Sequence, residues 1–113
     1  MSVLPDMYRG DYINTAVQLE DAAGNSITID DSAAVTATFS NANASVGPVI
    51  SQSKDYEGAD WTNGLVIIQF TPAESNLITK VGHVDLDVTV DDEVNTPGPS
   101  TYRGPVIIGT RTG

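Results

Sequence analysis

The stretch from Gly64 to Val90 limits this chain more than any other. Asn63-Gly64 closes a turn, and Leu65-Val66-Ile67-Ile68-Gln69-Phe70 follows, apolar on both faces except at Gln69. His83 to Val90 then alternates apolar and polar residues without a break, the period of a strand that buries one face. Between the two, Thr71 and Glu74 have the spacing of a capping box, and Pro72 stands at the first helical position, where its missing N–H costs nothing. Gly82 is the expected stop, with Leu77 and Ile78 facing the core. The pattern therefore predicts strand, short connector helix near residues 72–80, strand. A run that is apolar on both faces points to a central position for the Leu65 strand, with the half-buried Val84 strand as its antiparallel neighbour.

Further short strands are predicted on either side. Tyr12–Glu20 presents Ile13, Thr15, Val17 and Leu19 on one face, and a turn at 21–25 leads to a second strand at Ser26–Asp30, giving a hairpin. Ala34–Ser40 turns Val35, Ala37 and Phe39 inward, and 41–45 reads as a polar loop. Val46–Ser53 contains Pro48, which suits an edge. Residues 54–63 form the longest loop, with Trp61 over one end of the core. Thr101–Thr110 is the last strand. Strands about ten residues apart with turn signals between them predict an all-β fold, an immunoglobulin-like antiparallel sandwich of six to seven strands. At 113 residues the chain is expected to form an N-terminal arm, 1–8, and a single β-sandwich domain, 9–113. The arm's Val3, Leu4 and Met7 are apolar, while Pro5 disfavours regular pairing; such an arm folds back on its own sheet or docks on a neighbour.

Charge narrows the function classes. Fifteen Asp and Glu against five Lys and Arg give a net charge of -10, which opposes phosphate backbones and anionic membrane surfaces, so neither a nucleic acid nor a membrane is an expected partner. There is no cysteine, which excludes disulfides and thiolate chemistry. Met1-Ser2-Val3-Leu4-Pro5 has neither the basic nor the apolar region of a signal peptide, so synthesis in the cytoplasm is expected.

Chemistry-bearing patterns are sparse. His83 is the only histidine, lies on a strand face with Asp85 and Asp87, and is joined by no nucleophile-elbow motif. Asp85, Asp87 and Asp91 form the densest acidic group with Asp92 and Glu93. They are a weak calcium candidate, since calcium takes six to eight oxygens, usually from a loop, and the default is a solvated acidic face. No phosphate-binding glycine loop occurs. No catalytic residue and no cofactor is expected. Tyr56 and Trp61 are the candidates for stacking on a sugar or other ligand, against Trp61 as a plug for the core.

The order of features adds a resemblance. Tyr8-Arg9-Gly10-Asp11 precedes the first strand, and Gly24 turns the first hairpin. Thr71 to Gly82 leads into the Val84–Val90 strand, and Gly104-Pro105-Val106-Ile107-Ile108 closes the chain. This resembles the small immunoglobulin-like sandwich domains of tailed bacteriophages, such as the N-terminal domains of baseplate upper proteins and capsid decoration proteins. His83 stands where that pattern often has tyrosine. The resemblance implies a non-enzymatic structural role in a virion, on the capsid or on the tail or baseplate. Its partners would be other virion proteins and further copies of the chain, for example as a trimer, through the arm (Val3, Leu4, Met7) or the Pro48 edge. A carbohydrate- or ligand-binding module using the loop around Trp61 is the alternative. Arg9-Gly10-Asp11 is read as the start of a strand rather than an adhesion signal.

Overall fold

A computed structural model describes residues 5–95 and 98–110. Val3 and Leu4 lie outside the described residues. Two sheets face one another. The smaller pairs β2 (Ile13–Gln18) with β6 (Leu65–Phe70) in antiparallel register, Ile13 opposite Phe70 and Gln18 opposite Leu65. The larger runs β1 (Met7–Arg9), β8 (Pro99–Thr110), β7 (Gly82–Asp91), β3 (Ala34–Asn41), and the far edge of β3 carries both β4 (Ala44–Ser45) and β5 (Ile50–Gln52). β2 with β6, and β3 with β7 and β8, match the pairings that divide an immunoglobulin-type sandwich into its two sheets. The fold is thus the expected all-β sandwich, with eight strands among the described residues. It is not wholly antiparallel, because β1 runs parallel to β8.

Alternation fixes which face each strand buries. Val84, Leu86, Val88 and Val90 of β7 point inward, as do Val35, Ala37 and Phe39 of β3 and Val66, Ile68 and Phe70 of β6. Phe39 and Phe70 meet across the two sheets with ring centroids 5.3 Å apart at a tilt of 42°. Tilted rings of this kind add to what burial alone supplies.

The pairing of β6 differs from the expectation. It is not central and β7 is not its neighbour; β7 is the central strand, between β3 and β8, in the opposite sheet. Ile67, on the outer face of β6, is buried all the same, and the reason is the long loop, whose Gly58 lies over the Ile67 side chain. A loop can cover an apolar outer face as well as a second layer can. The outer edge of β6 is closed by a side chain: Gln69 donates its N–H to Gln52 Oε1 at 2.8 Å.

Three connections also depart from the sequence pattern. The capping box forms, with Glu74 N–H donating to Thr71 Oγ1 at 3.2 Å and Thr71 N–H to Glu74 Oε1 at 2.8 Å, yet α1 covers only Pro72–Ser75. The helix stops at Asn76, so Gly82 is the first residue of β7 instead of a cap, and Leu77 is exposed while Ile78 is buried. Ser26–Asp30 is no strand: it makes one bridge, Glu20 to Ser26, and donates from Ile27 to Leu19 and from Ile29 to Trp61. Residues 41–45 are no open loop but a tight hairpin, with Ala42 and Asn43 both at positive φ (52° and 70°).

Gly64 joins these pieces. It sits at φ +74°, and a Cβ there would lie 2.7 Å from Leu19 O and 2.8 Å from Ile27 O. Gly64→Ala is therefore expected to destabilise the fold by about 3 kcal/mol, through strain and overpacking together. Urea unfolding checks this, and a loss under 1 kcal/mol would mean that the 19–27 segment moves aside easily.

Candidate functional site

The outer face of the larger sheet carries the acidic residues singled out in the sequence. Asp87 of β7 is directly opposite Arg103 of β8, and the two form a forked pair, Nε to Oδ1 at 2.7 Å and Nη2 to Oδ2 at 3.0 Å. The third guanidinium nitrogen, Nη1, donates to Asn43 Oδ1 at 2.7 Å, a contact that the positive-φ hairpin makes possible. Asp87 is only 7% exposed, so it is not part of a wet face. Its carboxylate holds Arg103 protonated even more firmly than usual, first through the hydrogen bond and then through charge. The guanidinium occupies the place a cation would take. Asp91 lies exposed at the far end of β7, and no group of three or more His, Cys, Asp or Glu converges on a metal position among the described residues. Asp85, Asp87 and Asp91 are thus not brought together as a calcium site. His83 is exposed on this face, and its carbonyl accepts from Asn41 Nδ2.

The most engaged carboxylate is one the sequence reading left within the acidic group. Asp92, 2% exposed, accepts from the backbone N–H of Asp30, Val94 and Asn95 and from Asn95 Nδ2, at 2.8 to 3.2 Å. Burial pushes its pKa up, but these hydrogen bonds together outweigh burial and leave it below the ordinary 3.8. It ties the segment before β3 to the end of β7. A second hidden clip is Ser75, whose Oγ accepts from Gly10 N–H at 2.9 Å and donates to Asp11 O at 2.6 Å. With Arg9 Nε donating to Ile78 O, this holds Arg9-Gly10-Asp11 against the connector as a structural turn.

The remaining candidates occupy different parts of the molecule. Trp61, 5% exposed, is part of the core, and its Nε1 has no partner among the described residues. It offers no face for stacking, so Tyr56 and Trp61 do not form a ligand platform. Met7 lies in β1 and packs against the core. Residues 7 and 8 of the expected arm are therefore part of the sandwich. Pro48 is half-buried in the loop between β4 and β5, not within a strand. Next to it Val49 is exposed, and Thr79 binds Val46 O through both its N–H (2.7 Å) and its Oγ1 (3.1 Å). These bonds fasten the segment that carries exposed Leu77 and Val81 to the one that carries exposed Val49.

One open feature was not found from the sequence. A cleft of about 620 Å3 runs between β2 and β8, walled by Val17 and Leu19 on one side and Tyr102, Gly104 and Val106 on the other, with Leu86 and Val88 at its floor. The half-burial of Val17, Tyr102 and Val106 is its only trace, and that depends on which strands are neighbours.

No family model matches the chain, and neither a curated protein nor a solved structure does.

Because the folded pKa of Asp92 is depressed, its contribution to stability is present in full above the unfolded value and is lost as pH falls through the folded one, so it fades below about pH 4. Asp92→Ala is expected to cost about 2–3 kcal/mol at pH 7, since it leaves buried donors unmatched. The gap between wild type and variant should narrow as urea unfolding is repeated from pH 6 down to pH 2. A gap that stays constant would show that the carboxylate contributes through shape and not through charge.

Proposed function

We propose that this protein is a non-enzymatic structural subunit of a bacteriophage particle, most simply a capsid decoration or minor virion component, or else a tail- or baseplate-associated one. The observation that carries this reading is the exposure of Val49, Leu77 and Val81 on two segments tied together through Thr79. Large apolar side chains left in water on two fastened segments offer the material of a contact surface. The chain's feature order, which resembles the small sandwich domains of tailed phages, supplies the kind of assembly. The net charge of -10 keeps free subunits apart. On a repetitive shell, weak individual contacts add through multivalency, so a small patch suffices.

The test is co-expression with the capsid and tail proteins encoded beside its gene, followed by sedimentation of the particles through a density gradient. The chain should travel with particles at a fixed ratio, and Leu77→Glu with Val81→Glu should lower that ratio at least ten-fold without changing the melting temperature. A chain that stays at the top of the gradient overturns the reading. Deletion of residues 1–4 in the same assay tests whether Val3 and Leu4 contribute.

A further inference from the structure

The cleft between β2 and β8 has the form of a missing strand. β1 fills the slot between the two sheets at one end only, pairing Met7, Tyr8 and Arg9 with Ile108, Gly109 and Thr110. Asp6 extends this by one step, its N–H donating to Ile107 O at 2.8 Å and its carboxylate accepting from Ile107 N–H at 2.7 Å. Beyond Ile107 no described residue fills the slot, which there is the open cleft.

The backbone groups that face it follow from alternation. Leu19 N–H donates to Gly64 O, so the odd-numbered residues of β2 point their backbone at β6. Asn14, Ala16 and Gln18 then point theirs away from β6; Gln18 lines the cleft, Ala16 leads into it, and Asn14 lies at the end beside β1. The orientation agrees with Gln69, opposite Asn14, whose N–H points away from β2 to Gln52. This edge of β2 has no strand partner among the described residues and contains no proline. The edge of β8 is different. Ile107 faces β1, so residues 99, 101, 103 and 105 face the cleft, and two of these, Pro99 and Pro105, have no N–H to give. One wall can thus extend a ladder while the other is blunted. Between them, a Cβ placed on Gly104 would meet no atom within 4 Å, so there is room for an incoming side chain above it.

We infer that the cleft takes an extended segment of another protein, about six residues long, which pairs with the free edge of β2 and lays alternate apolar side chains over Val17, Tyr102, Gly104 and Val106. Its intervening residues are basic. Glu20 and Asp21 line the cleft mouth, the Arg103 guanidinium is already held by Asp87 and Asn43 on the outer face, and the whole chain carries -10. The same charge disfavours a second copy as occupant, and the prolines on β8 disfavour edge-to-edge pairing. None of Val49, Leu77 and Val81 lines the cleft, so the inference does not rest on the virion reading.

The probe is an eight-residue peptide alternating valine and lysine, set against a valine–glutamate counterpart and an isomer with its valines contiguous. Amide exchange of Ala16 and Gln18, followed by NMR on the full chain, should slow at least ten-fold in excess alternating lysine peptide and stay unchanged with the other two. Gly104→Leu should fill the cleft and remove the protection while the melting temperature holds. Should Gly104→Leu fail to fold, Ala16→Pro deletes one outward N–H without touching the ladder to β6 and should weaken binding at least ten-fold. Unchanged exchange with the lysine peptide, equal protection by the glutamate peptide, or undiminished binding by the folded variants would each overturn the inference. So would protection of these amides in concentrated protein alone, accompanied by a dimer mass, which would make a second copy the occupant.

Discussion

The structure depends on covering β6 on both faces. Val66, Ile68 and Phe70 face the larger sheet, and Ile67 faces the other way, so a two-layer sandwich alone would leave Ile67 wet. The long loop before β6 solves this by folding back until Gly58 reaches Ile67, and Trp61 is carried into the core by the same turn. Gln52 completes the arrangement by accepting from Gln69. A polar group at this edge stands in for a neighbouring strand: it satisfies the exposed N–H and prevents further pairing there. The pairing of β5 with β3 brings Gln52 within reach of that N–H.

Closure on that side contrasts with the opposite side, where β2 and β8 diverge. There the only filler among the described residues is β1, three residues long. Its parallel pairing with β8 is made possible by the turn at Gly10, and Ser75 locks that turn against the connector. One serine, buried in a helix of four residues, therefore links the first strand to the second sheet. The short helix is best understood as a platform for Ser75 and for the buried Ile78, not as an element with a face of its own.

How much of this is legible in the sequence depends on range. The alternation of β7 and the capping box at Thr71 are local, and they read directly. The sheet to which each strand belongs is not local. An apolar run on both faces looks the same whether its outer face is covered by a layer or by a loop, which is why β6 reads as central. Asp87 and Arg103 are sixteen residues apart and become partners only when β7 and β8 fall into register. Asp92 sits in a run of acidic residues, and nothing in composition separates the one that turns inward to meet Asp30 from those left in water. Trp61 was legible as a core plug by its size alone. The cleft was not legible, because it is defined by what fails to pair.

Two unequal walls also bear on the affinity such a cleft can reach. A segment that pairs along β2 gains backbone hydrogen bonds whose net worth is about 1 kcal/mol each, and it loses the entropy of an extended chain on docking. Main-chain pairing over so short an edge therefore sits near balance, and the selectivity falls to the side chains that enter above Gly104 and to charge at the Glu20–Asp21 mouth. Because those carboxylates are exposed, the charge component is screened by salt and acts mainly on the rate of encounter. An acidic domain with one blunted and one open edge is thus suited to capturing a basic strand that a larger partner already holds in extended form, for which the ordering cost has been met before the two surfaces meet.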